Sequence, residues 1–399
     1  MTNFPFGDDF MPQFLNDIFA MISTAGDAHM QIAEQLANSV VKKEAPIATV
    51  DPKLRISLEP LAAIVKMHFD AFLEDKNLSQ LQEEVGSVEF VSPQTWLDKS
   101  LKELNPIFSE IADSFLLKDE TATKIDQTDL AQTANPEDQI KNILSNVFQM
   151  TAPASLGMQI GSILGHFALS AFGSYDLLIP RETDTVLIIA DNIQKFSDDW
   201  SVEINDAAIW ACTRQLAAHF ILSKKSIKST LTTLISRHAL GLRVGTEKLS
   251  EQIKTIDFSD FSSFENLLNN PDSVFEIEPS LIHEQTTEDL TTIISVINGF
   301  IQNVGESIDE KTVGKSTLIN EAVLRYKTQY SNLSGLIETL FGYYYDDTKI
   351  EQGYQFVKNL LLAEDRDWIE ILTRSDEFLP DSLELEDPEN WKLRVATLL

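Results

Sequence analysis

The sequence contains a single cysteine, Cys212, among 399 residues. A disulfide framework within the chain is therefore excluded, and so is a cysteine-built zinc site. A catalytic thiolate needs a base or a positive potential beside it. Cys212 lies seven residues before His219 in an apolar helical stretch, about 10 Å along a helix axis, which is too far for a direct pair, so it reads as a packing residue. Basic residues are also scarce: 31 Lys and Arg against 62 Asp and Glu leave a net charge of −31. That balance excludes a nucleic-acid surface, which needs clustered Lys and Arg, and docking on anionic membranes. It fits a well-solvated surface. Long apolar runs are missing too; nowhere do roughly 18 apolar residues follow one another, so no membrane-spanning helix is expected. The first residues, MTNFPFGDDFMPQFLNDIFAMIS, have no basic start and carry Asp8, Asp9 and Asp17, unlike a secretory signal. The cytoplasm is the expected location.

What remains is an ordinary globular composition, 43% apolar and 23% charged, dominated by helical periodicity. The chain is organised around Trp200 to Val244. Trp200, Val202, Ile204, Ala207, Ala208, Trp210 and Ala211 begin an apolar face, and Leu216, Ala217, Phe220, Ile221 and Leu222 continue it. A helix apolar over so much of its girth belongs in a core. Thr286 to Gln302 has the same character, and the two are expected to pack together. Leu58 to Phe72, the helix opened by Ser92 and Pro93, and the segments Ser316 to Tyr330 and Ile350 to Leu362 are also expected to be helical, with Pro106 kinking or dividing the second of these. Asp184 to Phe196 reads as helix. Val88 to Val91 is a short extended piece, and no run of alternating strands follows. The fold class is mostly α, a multi-helix domain with few short strands. Residues 1–45 read as a tail with short helices and 46–399 as the main domain. Residues 118–137, polar and weakly periodic, form an exposed and flexible excursion in this reading. Gly157, Gly161 and Gly165 recur every four residues, a spacing that lets a neighbouring helix approach the backbone.

Several short motifs invite chemistry and fail on inspection. Asp309 to Thr317, DEKTVGKST, ends like a phosphate-binding loop, but Asp309 stands where the first glycine is needed and no strand precedes it. His283-Glu284 opens like a zinc motif, but Thr287 occupies the place of the second histidine. Tyr343 to Asp347, YYYDD, reads as an aromatic helix end facing an acidic turn.

Three separated blocks together resemble a bacterial family of zincin-like, zinc-dependent metallopeptidases and candidate hydrolases, some of whose members are associated with deazaflavin-cofactor biosynthesis. The first is GMQIGSILGHFALSAFGSYDLLIP, similar to the family's Gly-Met-Gln-x-Gly stretch and the Leu-Pro that follows it. The second is the central helix with Ala217-Ala218-His219. The third runs from EAVLRYK to LEDPENW, including Gly353, Phe356, Val357, Leu379-Pro380 and Asp387-Pro388-x-x-Trp391. VSPQTWL is similar to an earlier helix start, so the resemblance covers most of the chain after Val88.

The resemblance implies a zincin-like fold and a zinc helix reading His-Glu-x-x-His, or Arg-Glu-x-x-His in one branch. Here the helix reads Gln215-Leu216-Ala217-Ala218-His219, so only His219 matches a ligand. Arg214 is one position out of register with the branch arginine. The later Glu-Gly pair, whose glutamate is the implied third ligand, corresponds to Asn298-Gly299. Catalytic zinc needs about three protein ligands and an open water position, with a carboxylate to take the water's proton. Leu216 cannot accept a proton, and Gln215 and Asn298 are poor zinc ligands. The expectation is a zincin-like protein that has lost hydrolysis, holds no metal or other cofactor, and binds an unidentified protein or small molecule through the old cleft. An active hydrolase drawing zinc from His219 with carboxylates or His238 is the alternative. A third reading is an interaction protein whose acidic surface meets a basic partner.

Overall fold

The computed structural model describes residues 28–81, 87–116, 156–241, 281–313, 316–329, 337–338, 340–344 and 346–399. The expected N-terminal tail and short helix, the 118–137 excursion, the helix expected over Asp138 to Gln149 and the acidic stretch with Phe258, Phe261 and Phe264 lie outside the described residues. Helices dominate what is described: α1 (Ala28–Glu44), α2 (Pro52–Asp75), α3 (Pro93–Leu116), α4 (156–170), α5 (Ala190–Trp200), α6 (Ile204–Leu222), α7 (Lys225–Gly241), α8 (Leu281–Thr312), α9 (Ser316–Gln329), α10 (Asp347–Leu362), α11 (Trp368–Arg374) and α12 (Pro388–Leu398). Among the described residues no helix is long and apolar enough to cross a membrane.

The chain contacts divide it into two units. The described part of the first consists of residues 28–37, 105–116, 156–162 and 239–241. Its central feature is the close approach of α4 to α1. A side chain at Gly157 would strike the His29 carbonyl oxygen, and one at Gly161 would lie 2.7 Å from the Ala33 carbonyl oxygen. The four-residue glycine spacing thus serves helix contact, as expected.

The second unit holds residues 38–104, 163–238 and 279–399. Its axis is α6, in which residues 207–213 and 215–222 are buried. Alanines at 207, 208, 211, 217 and 218 leave room for neighbouring helices to approach. Phe220 stacks on Phe300 of α8, with centroids 5.5 Å apart, and meets Phe69 of α2 edge-on at 5.9 Å. Helix α8 in turn crosses α10, which with α11 and α12 builds an aromatic cluster: Trp391 lies 5.4 Å from Phe356 and 5.7 Å from Trp368. The two long apolar helices do share one core. The first begins at Ile204, not at Trp200, because Ser201 takes a left-handed φ of 53° and ends α5.

One expectation needs correction, and another is narrowed. The segment read as helical from Asp184 starts as a strand, β2 (Val186–Ile189), which pairs in parallel with β1 (Val88–Val91), Val88 opposite Val186 and Val91 opposite Ile189. All four β2 residues are buried; a fully buried strand of apolar residues has no alternation to distinguish it from a helix start. Of the two outcomes expected at Pro106, a kink or a break, the break is excluded, because α3 runs from Pro93 to Leu116. One lost backbone bond is outweighed by the burial of Leu104, Phe108 and Ile111 along the same stripe. Ser92 caps this helix as expected, its hydroxyl accepting from the Thr95 amide at 3.2 Å.

Candidate functional site

The family positions on α6 face the turn that links α4 to β2. This turn, Phe172 to Leu178, is held against the sheet. Gly173 forms an antiparallel bridge with Ile188, the Ser174 amide donates to the Leu187 carbonyl at 3.0 Å, and the Ser174 hydroxyl accepts from the Leu187 amide at 3.1 Å. Trp96 donates its indole N–H to the Gly173 carbonyl at 3.1 Å. Asp176 closes the turn by accepting from the amides of Phe172 and Gly173 at 2.9 and 2.8 Å.

Gln215 reads this turn with both ends of its amide. Its oxygen accepts from the Tyr175 N–H at 2.6 Å, and its nitrogen donates to Asp176 Oδ2 at 2.9 Å. Position 173 must be glycine for this to happen: a Cβ there would sit 2.8 Å from the Gln215 amide carbon and would strike the Leu187 carbonyl oxygen. One turn along α6, His219 is buried, and its Nδ1 shares a hydrogen bond of 2.8 Å with the Tyr175 hydroxyl. Gln215 and His219, at the places of the two helix ligands, are thus brought together on one residue, Tyr175. Leu216, at the place of the catalytic glutamate, is fully buried among apolar neighbours. Asn298 is half-buried on α8 and turns its amide to the Ile294 carbonyl, 3.0 Å away and one turn back.

Burial decides the protonation of this group. It pushes the His219 pKa below the ordinary 6.5, an effect opposed by the Asp184 carboxylate and helped by Lys224. It raises that of the Tyr175 phenol, where Arg181 works the other way and Glu103 and Asp184 reinforce it. Both members are neutral near pH 7, so the pair can donate and accept hydrogen bonds but carries no charge. Burial also pushes the Cys212 thiol up to about 12, so it stays a packing thiol, as the sequence suggests.

Beside Tyr175 lies a group that sequence reasoning missed. Arg181 is buried, with its Nη1 donating to Glu103 at 2.7 Å and to the Ser100 hydroxyl at 3.0 Å. Its guanidinium lies 5.7 Å from the Trp96 ring and 5.9 Å from that of Tyr175. An arginine directly after GSYDLLIP is the only sequence signal for it. Arg214 serves the packing of α6 on α8. Its guanidinium grips Asp309 of α8 with two bonds, at 2.7 and 3.2 Å, and stacks 4.1 Å over Trp210. Burial opposes its charge and Asp309 sustains it. The aspartate that spoils the phosphate-loop pattern is therefore a buried ion-pair partner inside a helix. In the YYYDD stretch, Tyr343 is buried and donates to the Leu178 carbonyl at 2.9 Å, while Asp346 caps α10.

The match to a family model now has a structural setting. The model of the zincin-like metallopeptidases aligns with residues 29–391. The chain belongs to that family. A solved structure from Chloroflexus aurantiacus, described as a candidate hydrolase with a novel fold, is similar at a TM-score of 0.55 and 16% identity, covering 92% of this chain and 98% of that one. At this identity the likeness is one of fold. None of the curated proteins matches the sequence.

The family implies a zinc ion, and the residues at 215 and 216, where the resemblance places a ligand and the catalytic glutamate, do not fit one. The amide of Gln215 is engaged at both ends by the turn and Leu216 offers no donor atom, which leaves His219 as the one family position on α6 with a ligand-type side chain. Among the described residues no three His, Cys, Asp or Glu side chains gather as metal ligands would. His238, the other histidine considered, is buried near Gly342, whose added Cβ would lie 2.7 Å from its Nδ1.

Proposed function

We propose that this zincin-like protein does not hydrolyse peptides and acts by binding a partner or ligand through the cleft region of its family. The observation that carries this reading is the double engagement of Gln215. An amide that accepts from Tyr175 N and donates to Asp176 is a structural clasp, and it stands where the family has a zinc ligand. A neighbouring Leu216 leaves no carboxylate to activate water. What remains is a buried polar group, the neutral Tyr175–His219 pair with Trp96 and Arg181 beside it, whose chemistry is hydrogen bonding and not hydrolysis.

The test is metal content and peptide hydrolysis of the purified full chain. Less than a stoichiometric amount of zinc and no cleavage above buffer are expected. A triple variant, Gln215→His, Leu216→Glu and Asn298→Glu, restores the family's donor types, and metal uptake by it alone supports a cleft that has lost its site. Tight zinc binding by the parent that disappears in His219→Ala overturns the reading and makes the protein a metal-dependent hydrolase with an altered ligand set.

A further inference from the structure

Buried hydrogen-bond donors almost always find acceptors, and an arginine presents five of them. Arg181 departs from this. Its side chain is only 1% exposed, Nη1 is satisfied by Glu103 and Ser100, and both Nε and Nη2 are buried without an acceptor. These two nitrogens lie on one edge of the guanidinium, the edge whose parallel N–H bonds match the two oxygens of a planar acid. The unsatisfied donors therefore form one complete bidentate fork. Trp96 and Tyr175 flank the group at 5.7 and 5.9 Å, and the Tyr175 hydroxyl continues to His219.

We propose that Arg181 is the recognition residue of a carboxylate-binding site, in which the Nε and Nη2 edge takes both oxygens of one carboxylate. The assignment deepens the binding reading given above and rests on it. A carboxylate fits better than a phosphate because the charge balance is tight. Glu103 already pairs with Arg181, and Asp184 adds negative potential at Tyr175, so a dianion meets more repulsion here than a monoanion. A neutral amide offers one acceptor oxygen to two donors and leaves one of them buried and unmet. Both donors are closed from solvent in this structure, so a carboxylate reaches them only with a local opening of the packing around Arg181.

The experiment is calorimetric titration of the full chain with acetyl-alanyl-phenylalanine as free acid, with the same peptide as its C-terminal amide, with benzoate and with inorganic phosphate. Saturable binding of the peptide acid or of benzoate, and at least tenfold weaker binding of the amide, is expected. A response to the peptide acid alone assigns the carboxylate to a peptide end, and a response to benzoate alone to a small organic acid. Arg181→Lys, which keeps the charge and loses the fork, should weaken the acid about tenfold or more. If that variant fails to fold by circular dichroism, Glu103→Gln decides: with the competing carboxylate gone, the acid should bind about threefold tighter or better. Equal binding of acid and amide, binding of phosphate in preference to both acids, no saturable binding at all, or unchanged affinity in Glu103→Gln overturns the assignment. Zinc content and peptide hydrolysis are measured on the same preparation. Stoichiometric zinc with cleavage refutes the inactive reading, whereas a zinc-free, inactive protein that ignores every acid refutes only the carboxylate site.

Discussion

Gln215 commits its whole amide to a fold contact, one end on the Tyr175 backbone and the other on Asp176. Its amide satisfies one buried backbone donor and one carboxylate at once, so truncation leaves both short of a partner. Gln215→Ala is expected to destabilise the protein by about 1–3 kcal/mol, read as a shift of the urea midpoint at constant slope; an unchanged midpoint would mean that water replaces the amide at no cost. His219 makes a pH prediction. Its folded-state pKa lies below 6.5 because burial disfavours the imidazolium. Above that value both folded and unfolded chains keep it neutral and stability is complete. As the pH falls below it, the unfolded chain binds a proton that the folded chain refuses, and stability is lost down to the folded-state pKa. Thermal melts at roughly pH 7.5 and 5.5 should therefore show a smaller drop in His219→Gln than in the parent. An identical drop would place the acid sensitivity in other groups.

At the scale of elements, the decisive contact is the crossing of α8 and α10. Gly299 and Gly353 meet there backbone to backbone: a Cβ on Gly353 would strike the Ser295 carbonyl, and one on Gly299 the Gly353 carbonyl. Backbone atoms cannot rotate away as a flexible side chain does. Gly353→Ala should cost at least about 1–3 kcal/mol through overpacking, measured as a lower melting temperature. A neutral result would require the helices to separate freely, contrary to the burial of Phe356 and Val357 on the same helix. The asparagine that precedes Gly299, at the place of the family's acid, is tied to its own helix and not to α6. The Gly299 contact explains why this position takes glycine: a Cβ there would strike the Gly353 carbonyl oxygen.

The whole molecule carries 62 acidic and 31 basic residues, and several of its ion pairs, such as Arg55–Glu59 and Arg325–Glu321, are exposed. Such pairs contribute little, so at neutral pH the general repulsion among unpaired carboxylates outweighs them. Added monovalent salt, from about 0.02 to 0.5 M, should raise the melting temperature by screening that repulsion. A fall would show that screened attractive pairs matter more than net charge.

Periodicity alone was enough to place α6 and α8 in one core, because a helix apolar on most of its girth has nowhere else to go. The caps and prolines marked where α3 begins, and the residue types at 215, 216 and 219 were sufficient to question catalysis, since donor chemistry belongs to the side chain itself. The resemblance of ordered blocks pointed to the family that the match over residues 29–391 then established. The strand at Val186 to Ile189 was not legible, because four buried apolar residues carry no period, and at Pro106 the sequence left a kink and a break both open. The site needed the tertiary structure most. Tyr175 and Arg181 stand 40 and 34 residues from Gln215, so no spacing rule connects them. The turn on β2 brings Tyr175 to both Gln215 and His219. Arg181 meets Glu103 across 78 residues. Long-range hydrogen bonds and desolvation, which depend on what surrounds a group and not on its neighbours in the chain, decided those partners.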